Sequence, residues 1–135
     1  MKYLGIDYGT KRIGVAVSDE TATLAFPLGT IDAGPKALGE VLDLVRENEV
    51  KMVVIGESRD FDGKPNKVMK EIEKFAELIQ ANNIPVVFED ESMSSMTAAR
   101  QFAPTGDRKK NREHTNLDAS AAAIILQQYL DRMRS

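Results

Sequence analysis

Carboxylates stand at four places in this chain where an apolar neighbourhood does not call for them. Asp7 follows Tyr3-Leu4-Gly5-Ile6, Glu57 follows Val50–Gly56, Glu89-Asp90-Glu91 follows Ile84–Phe88, and Asp118 falls inside an apolar helical stripe. Burying a lone carboxylate is costly unless it is paired or bound to a cation. Asp7 precedes the turn Tyr8-Gly9-Thr10-Lys11, so it either accepts the backbone N–H groups of that turn or meets a cation. At about 100° per residue the last helix sets Ser120, Gln127 and Asp131 on one side and Ala121, Ala122, Ile125 and Tyr129 on the other. Asp118 belongs with the second group, facing the sheet, in the first turns where the helix dipole also favours an anion. In open α/β sheets ligands bind beyond the carboxyl ends of strands, where Asp7, Glu57 and the 89–91 cluster would converge. Carboxylates from separate elements, with Cys absent and a single His, suit a hard cation such as Mg²⁺ or Mn²⁺, held partly by water and substrate phosphate. That chemistry is phosphodiester hydrolysis. Glu89 and Asp90 are read as exposed acids at a strand end. His114, four residues before Asp118 and so on the same helical face, is placed to shuttle a proton or touch phosphate, or is a surface histidine near a helix start.

Nucleic acid would have to be met by local charge. The formal net charge is −3, from 18 Lys+Arg against 21 Asp+Glu, which excludes a global cationic field. Asp107-Arg108-Lys109-Lys110-Asn111-Arg112 carries four cationic side chains, and Lys11-Arg12 forms a smaller pair. Such a run is equally the composition of a solvated loop. With 135 residues, 42% of them hydrophobic, the chain is expected to form one domain over residues 1–135, large enough to fold without disulfides or structural metals. Its amino terminus lacks a signal-peptide pattern, and no apolar run reaches the roughly 20 residues that span a bilayer. The expectation is a cytoplasmic protein with no membrane partner.

The elements that must position these acids follow from periodicity. Tyr3–Asp7 reads as a buried strand, and Arg12–Ser18 alternates Ile13, Val15 and Val17 with smaller residues, giving a hairpin. Ala25–Ile31 is a third strand. Gly34-Pro35 opens a helix with Leu38, Val41, Leu42 and Val45 on one stripe. Val50–Gly56 is a β-branched run expected as a central parallel strand covered on both faces. Val68, Ile72, Phe75 and Ile79 recur at helical spacing, and Asn82-Asn83 before Pro85 ends that helix. Ile84–Phe88 is a further strand, Ser94 or Ser95 caps a short helix through Phe102, the loop Pro104–Arg112 follows, and a last helix covers roughly Glu113–Met133. The pattern βββαβαβαα implies an α/β protein with a mixed five-stranded sheet and helices packed on it.

At these residues the sequence resembles the YqgF family, also called RuvX, whose members are described as Holliday junction resolvases and pre-16S rRNA processing nucleases of RNase H-like fold. The resemblance covers nearly the whole chain. Gly5-Ile6-Asp7-Tyr8-Gly9-Thr10-Lys11-Arg12-Ile13-Gly14-Val15-Ala16-Val17-Ser18-Asp19 is similar to the family's opening signature, Asp90-Glu91-Ser92-Met93-Ser94-Ser95 to its second acidic segment, and Leu117-Asp118-Ala119-Ser120-Ala121-Ala122 to its last helix. The resemblance implies sheet order 3-2-1-4-5 with strand 2 antiparallel, and Asp7, Glu91 and Asp118 as catalytic acids that hold metal. Two positions depart from the family pattern: Ser92 stands where Arg is common, and Gly56-Glu57-Ser58 where Gly-Leu-Pro is usual. The second departure adds a carboxylate, so Glu57 is taken as an auxiliary metal ligand.

The leading expectation is a metal-dependent nuclease in ribosome biogenesis, processing the 5′ end of pre-16S rRNA, with Lys11, Arg12, Arg108, Lys109, Lys110, Arg112 and His114 meeting the nucleic acid. A resolvase acting on branched DNA is the alternative, and a four-way junction would call for two active sites and hence a homodimer. A non-catalytic RNA-binding or ribosome-assembly module is a reading of another class. Gly5–Thr10 also resembles the first phosphate loop of sugar-kinase and actin-like ATPases, but those enzymes close a cleft between two such domains and carry a second Asp-Gly-rich loop, which this sequence lacks.

Overall fold

Alternation along the strands decides the architecture. In the computed structural model, which describes residues 1–9, 11–57, 67–89 and 110–134 and, in the last helix, the side chains of 119–133, the strands are β1 (Lys2–Tyr8), β2 (Arg12–Ser18), β3 (Ala25–Asp32), β4 (Val50–Gly56) and β5 (Val86–Glu89), and the helices α1 (Ala37–Glu47), α2 (Lys67–Gln80) and α3 (Lys110–Arg134). They form one sheet in the order β3-β2-β1-β4-β5. β2 pairs antiparallel with both β1 and β3, while β4 lies parallel to β1 and β5. The fold is RNase H-like, mixed α/β, as the resemblance implied. Leu4 and Ile6, with Ile13, Val15, Val53 and Ile55, point to the side covered by α1 and α2. Tyr3, Ala16 and Val54 point to the side covered by α3. Period 2 in the strands therefore sorts the apolar residues into two cores, one on each face.

α2 and α3 present the stripes their sequences prescribe, and α1 does so at Val41 and Val45 but leaves Leu38 and Leu42 half-buried. Ala37, Val41 and Val45 are buried in α1, Met69, Ile72, Phe75, Ala76 and Ile79 in α2, and Ala121, Ala122, Ile125, Leu126, Tyr129 and Leu130 in α3. Asn83, at φ 65°, takes the left-handed conformation that Asn tolerates at a helix end. The turn between β2 and β3 is held by Asp19, whose carboxylate accepts hydrogen bonds from the Thr23 N–H (2.8 Å), the Leu24 N–H (3.2 Å) and the Thr21 hydroxyl (3.0 Å). Chiefly the Thr23 bond keeps this exposed carboxyl below the usual range.

Three of the boundary differences from the sequence expectation have a plain physical cause. α1 begins at Ala37, because a turn first closes from the Ala37 N–H to the Gly34 carbonyl at 3.0 Å, leaving Pro35 ahead of the helix. β5 begins at Val86 rather than Ile84: Pro85 has no N–H to give and takes part through its carbonyl, which accepts from Val53 N–H at 2.9 Å. α3 begins at Lys110 rather than Glu113, so Lys110 and Arg112 are helical; nothing from Lys110 onward breaks a helix. The short helix expected over Ser94–Phe102 lies outside the described residues. No described helix is long and apolar enough to cross a membrane.

Candidate active site

The strand order reverses at β1: β2 and β3 extend to one side, then the chain crosses over to add β4 and β5 on the other. The carboxyl ends of β1 and β4 at this reversal form the crevice where open sheets bind ligands, and Asp7 stands there. It is half-buried near the end of β1 and, by alternation from Tyr3, on the face that α3 covers. Its cross-strand partner is Gly14. On the other side, one step beyond the paired residues Ile6 and Ile55, it is level with Gly56. Two residues without side chains therefore flank the carboxylate. Tyr8 turns the opposite way and packs at a tilt against Phe75, with ring centroids 5.4 Å apart; burial raises its hydroxyl pKa, helped by the charge of Glu71.

Small residues let α3 approach this end of the sheet. A Cβ on Gly5 would lie 2.7 Å from Leu126 Cβ and 3.0 Å from the Ala122 carbonyl, and one on Gly56 would lie 2.5 Å from Ile125 Cδ1. The helix crosses the strands obliquely, with Ala119 and Ser120 beside Pro27–Gly29 of β3 and Arg132 reaching Glu89 at the end of β5. Asp118 lies one helical turn before Ala122 in α3; its side chain lies outside the described residues, as does Glu91. Consistent with that, no three Asp, Glu or His side chains gather into a metal-binding group among the described residues. Asp90, Arg108 and Lys109 also lie outside, and of Lys110, Arg112 and His114 only the helical backbone is described. Lys11 is exposed and Arg12 half-buried at the same end as Asp7.

One acid behaves differently from the sequence reading. Glu89, taken as an exposed strand-end acid, is only 5% exposed, and its Oε1 lies 2.5 Å from Nη2 of Arg132. Alternation from Val87, which packs on the α3 side, turns Glu89 inward, and the partner comes from a residue too distant in sequence for periodicity to reveal. Glu57 is half-buried, and its N–H continues the β4–β5 ladder to the Glu89 carbonyl at 2.9 Å. Alternation from Val53 and Ile55 carries it to the α1/α2 side, opposite Asp7.

Gln127 was legible only as part of the polar side of α3. It ties the helix to the β2–β3 connection: its Oε1 accepts from Ala25 N–H and its Nε2 donates to the Thr23 carbonyl, both at 2.9 Å. A groove of about 780 Å³, lined by Lys2, Glu20, Arg46 and Lys51, lies at the opposite end of the sheet from Asp7 and has no part in this arrangement.

A family model described as RuvX, Holliday junction resolvase, matches residues 1–132. Two relatives provisionally named pre-16S rRNA nuclease are similar along almost their whole length. The one from Chlorobaculum tepidum is 41% identical over 134 residues, covering 96% of this chain and 93% of its own. The one from a Geobacillus species is 35% identical over 136 residues, covering 97% and 98%. Among solved structures, Thermus thermophilus RuvC in complex with a Holliday junction substrate superposes with TM-score 0.59 at 19% identity, over 98% of this chain and 96% of that one. Fowlpox virus resolvase with Holliday junction DNA gives 0.62 at 12% identity over 100% of both. At those identities the structural likeness speaks for the fold. The sequence match across residues 1–132, with relatives 41% and 35% identical over almost the whole chain, establishes that the chain belongs to the RuvX family and is a nuclease.

Proposed function

We propose that this chain is a divalent-cation-dependent nuclease that processes the 5′ end of pre-16S rRNA, acting in the cytoplasm as one domain over residues 1–135. The observation that carries the proposal is the place of Asp7: half-buried near the carboxyl end of the central strand, flanked by Gly14 and Gly56, under the helix that bears Asp118. An oxygen donor with side-chain-free neighbours fits a hard cation of the Mg²⁺ or Mn²⁺ kind. Asp7, Glu91 and Asp118 would hold it. Glu57 is left outside this set because alternation assigns it to the other face. When bound, such cations activate a water and stabilise the leaving oxygen of a phosphodiester. Lys11 and Arg12, with Arg108, Lys109, Lys110 and Arg112, neutralise backbone phosphates and set the register of the strand being cut, and His114 contacts phosphate beside Asp118. The names carried by the relatives favour an RNA precursor as substrate.

The family description supports a second reading, cleavage of branched DNA, for which a homodimer would supply the two active sites. One experiment separates the readings: Mg²⁺- and Mn²⁺-dependent cleavage of pre-16S rRNA, single-stranded RNA and four-way DNA by wild type and Asp7→Asn, with the solution mass measured alongside. The expected outcome is cleavage of the rRNA precursor that Asp7→Asn abolishes while remaining folded. Binding of RNA without cleavage of any substrate would instead favour the non-catalytic module.

A further inference from the structure

Thr21–Ile31 is a run of eleven residues without a charge in a chain that is 29% charged, and within it Leu24, Phe26 and Leu28 are 51%, 49% and 44% exposed. Apolar residues exposed in such a run are a liability unless a partner covers them. Most of the run is β3, an edge strand of the sheet, yet its edge is closed to a further strand. The Ala25 N–H is taken by Gln127 Oε1 of α3 at 2.9 Å. Pro27, two residues on and at the same edge by alternation, has no N–H to give, and the pairing register shifts opposite Val15 and Ala16. Backbone pairing is blunted in the way natural edge strands are, while the side chains stay open. An occupant of this surface therefore meets side chains, not a strand edge.

Phe26 is the cross-strand partner of Val17, which packs on the core under α1 and α2, so its ring stands on that face. Beside it lies a hollow of about 120 Å³ lined by Val15, Leu28, Ile31 and Leu44, with room for one apolar side chain. A projecting ring and a hollow set a few residues apart along one strand complement each other across a two-fold axis: with the axis near Leu28, the ring of each copy lies over the hollow of the other. The missing charge suits the same arrangement, because like charges facing one another across an interface are strongly unfavourable, whereas a nucleic acid would call for cations here. Half-exposed, the three large side chains leave roughly 250 Å² of apolar surface per copy. Two copies join on the order of 500 Å², most of the apolar part of an interface of about 1,200 Å². We infer that this strip of β3, with Leu44 of α1, is the contact surface of a weak homodimer of this chain. Asp7 lies on the other face and two strands away, about 10 Å, so each copy keeps its crevice open.

The 135-residue chain, which has no cysteine, can be tested in two ways. Sedimentation equilibrium should show the mass rising from 14.9 kDa to twice that, with half-dimerisation at roughly 10–100 µM, as suits a small interface. Phe26→Asp should raise that concentration at least about thirtyfold, the effect of losing an aromatic anchor, with an unchanged circular dichroism spectrum because the ring is exposed. Under mild oxidation at the same protein concentration, Leu28→Cys should crosslink two copies, and Leu78→Cys, 46% exposed on α2, should not. A wild type that stays monomeric to about 1 mM, well beyond the weak range, would overturn the homodimer. A dimer that Phe26→Asp leaves intact, or that Leu28→Cys crosslinks no better than Leu78→Cys, would overturn the β3 surface. None of these results touches the nuclease reading, which Asp7→Asn tests by itself.

Discussion

The two faces of the sheet are built on different rules. On the side of α1 and α2, Leu4, Ile6, Ile13, Ile55, Ile72 and Ile79 are all 1% exposed or less, and they form a thick layer of branched side chains. On the side of α3 the sheet offers Gly5, Ala16 and Gly56 and the helix answers with Ala121 and Ala122, so that backbone approaches backbone. The polar ties gather on this second side: Gln127 to the β2–β3 connection and Arg132 to Glu89. Volume packing on the first face supplies stability, because large buried side chains remove the most apolar surface from water. Close approach on the second face supplies position, bringing the helix that bears Asp118 over the strand that bears Asp7. On the proposed assignment of Asp7 and Asp118, the site falls on the face that is poorer in hydrophobic bulk.

That contrast can be broken most sharply at Asp7. Asp7→Asn should lower metal-dependent cleavage by at least about a hundredfold, since losing even an outer partner of a metal ligand costs 10–100-fold, while thermal unfolding stays near wild type. Ile72→Ala should do the reverse. Truncating a fully buried isoleucine costs about 2–5 kcal/mol, visible as a lowered denaturant midpoint, while kcat at temperatures where the variant is folded stays close to wild type. Gly5→Ala tests whether close approach matters on the α3 side. The new methyl meets Leu126 Cβ at 2.7 Å, so the helix must shift, with an expected cost of about 1–3 kcal/mol. Here, unlike at Ile72, cleavage should fall with stability. Equal effects of Ile72→Ala and Gly5→Ala on kcat would remove the distinction between the faces.

Much of this was legible in the sequence because both periods are plain in it. Alternation in Arg12–Ser18 and the 3.6-residue stripes of α1, α2 and α3 fixed which residues face a sheet or a helix, and the apolar run Val50–Gly56 identified the central parallel strand. The sheet order came from the resemblance of Gly5–Asp19, since local periodicity carries no information on which strands are neighbours. Glu89 was misjudged for a related reason. An ionisable residue after a strand reads as solvated unless its partner is known, and the partner is at the far end of another element. Gln127 shows the same limit: it is polar by position, but its hydrogen bonds to Thr23 and Ala25 depend on an oblique helix crossing that no sequence window contains.

The smallest effect is expected at Glu57, and it sharpens the contrast because Glu57 lies beside the crevice in sequence but not by face. Val53 and Ile55 pack against α1 and α2, Val54 against α3, and the chain is still extended at Glu57, whose N–H reaches the Glu89 carbonyl at 2.9 Å. Period 2 therefore carries its carboxylate away from Asp7. Glu57→Gln removes one charge with little change of shape, so cleavage at saturating Mg²⁺ should stay within about twofold of wild type, and the Mg²⁺ concentration for half-maximal rate should move no more than the loss of one nearby negative charge in a well-screened setting allows. A tenfold rise in that concentration, about 1.4 kcal/mol of metal binding, would be too large for a charge on the far side of a sheet. It would mean that the chain turns back over the edge of β4 and that this carboxylate reaches the cation, so that the auxiliary ligand comes from the face assigned here to stability.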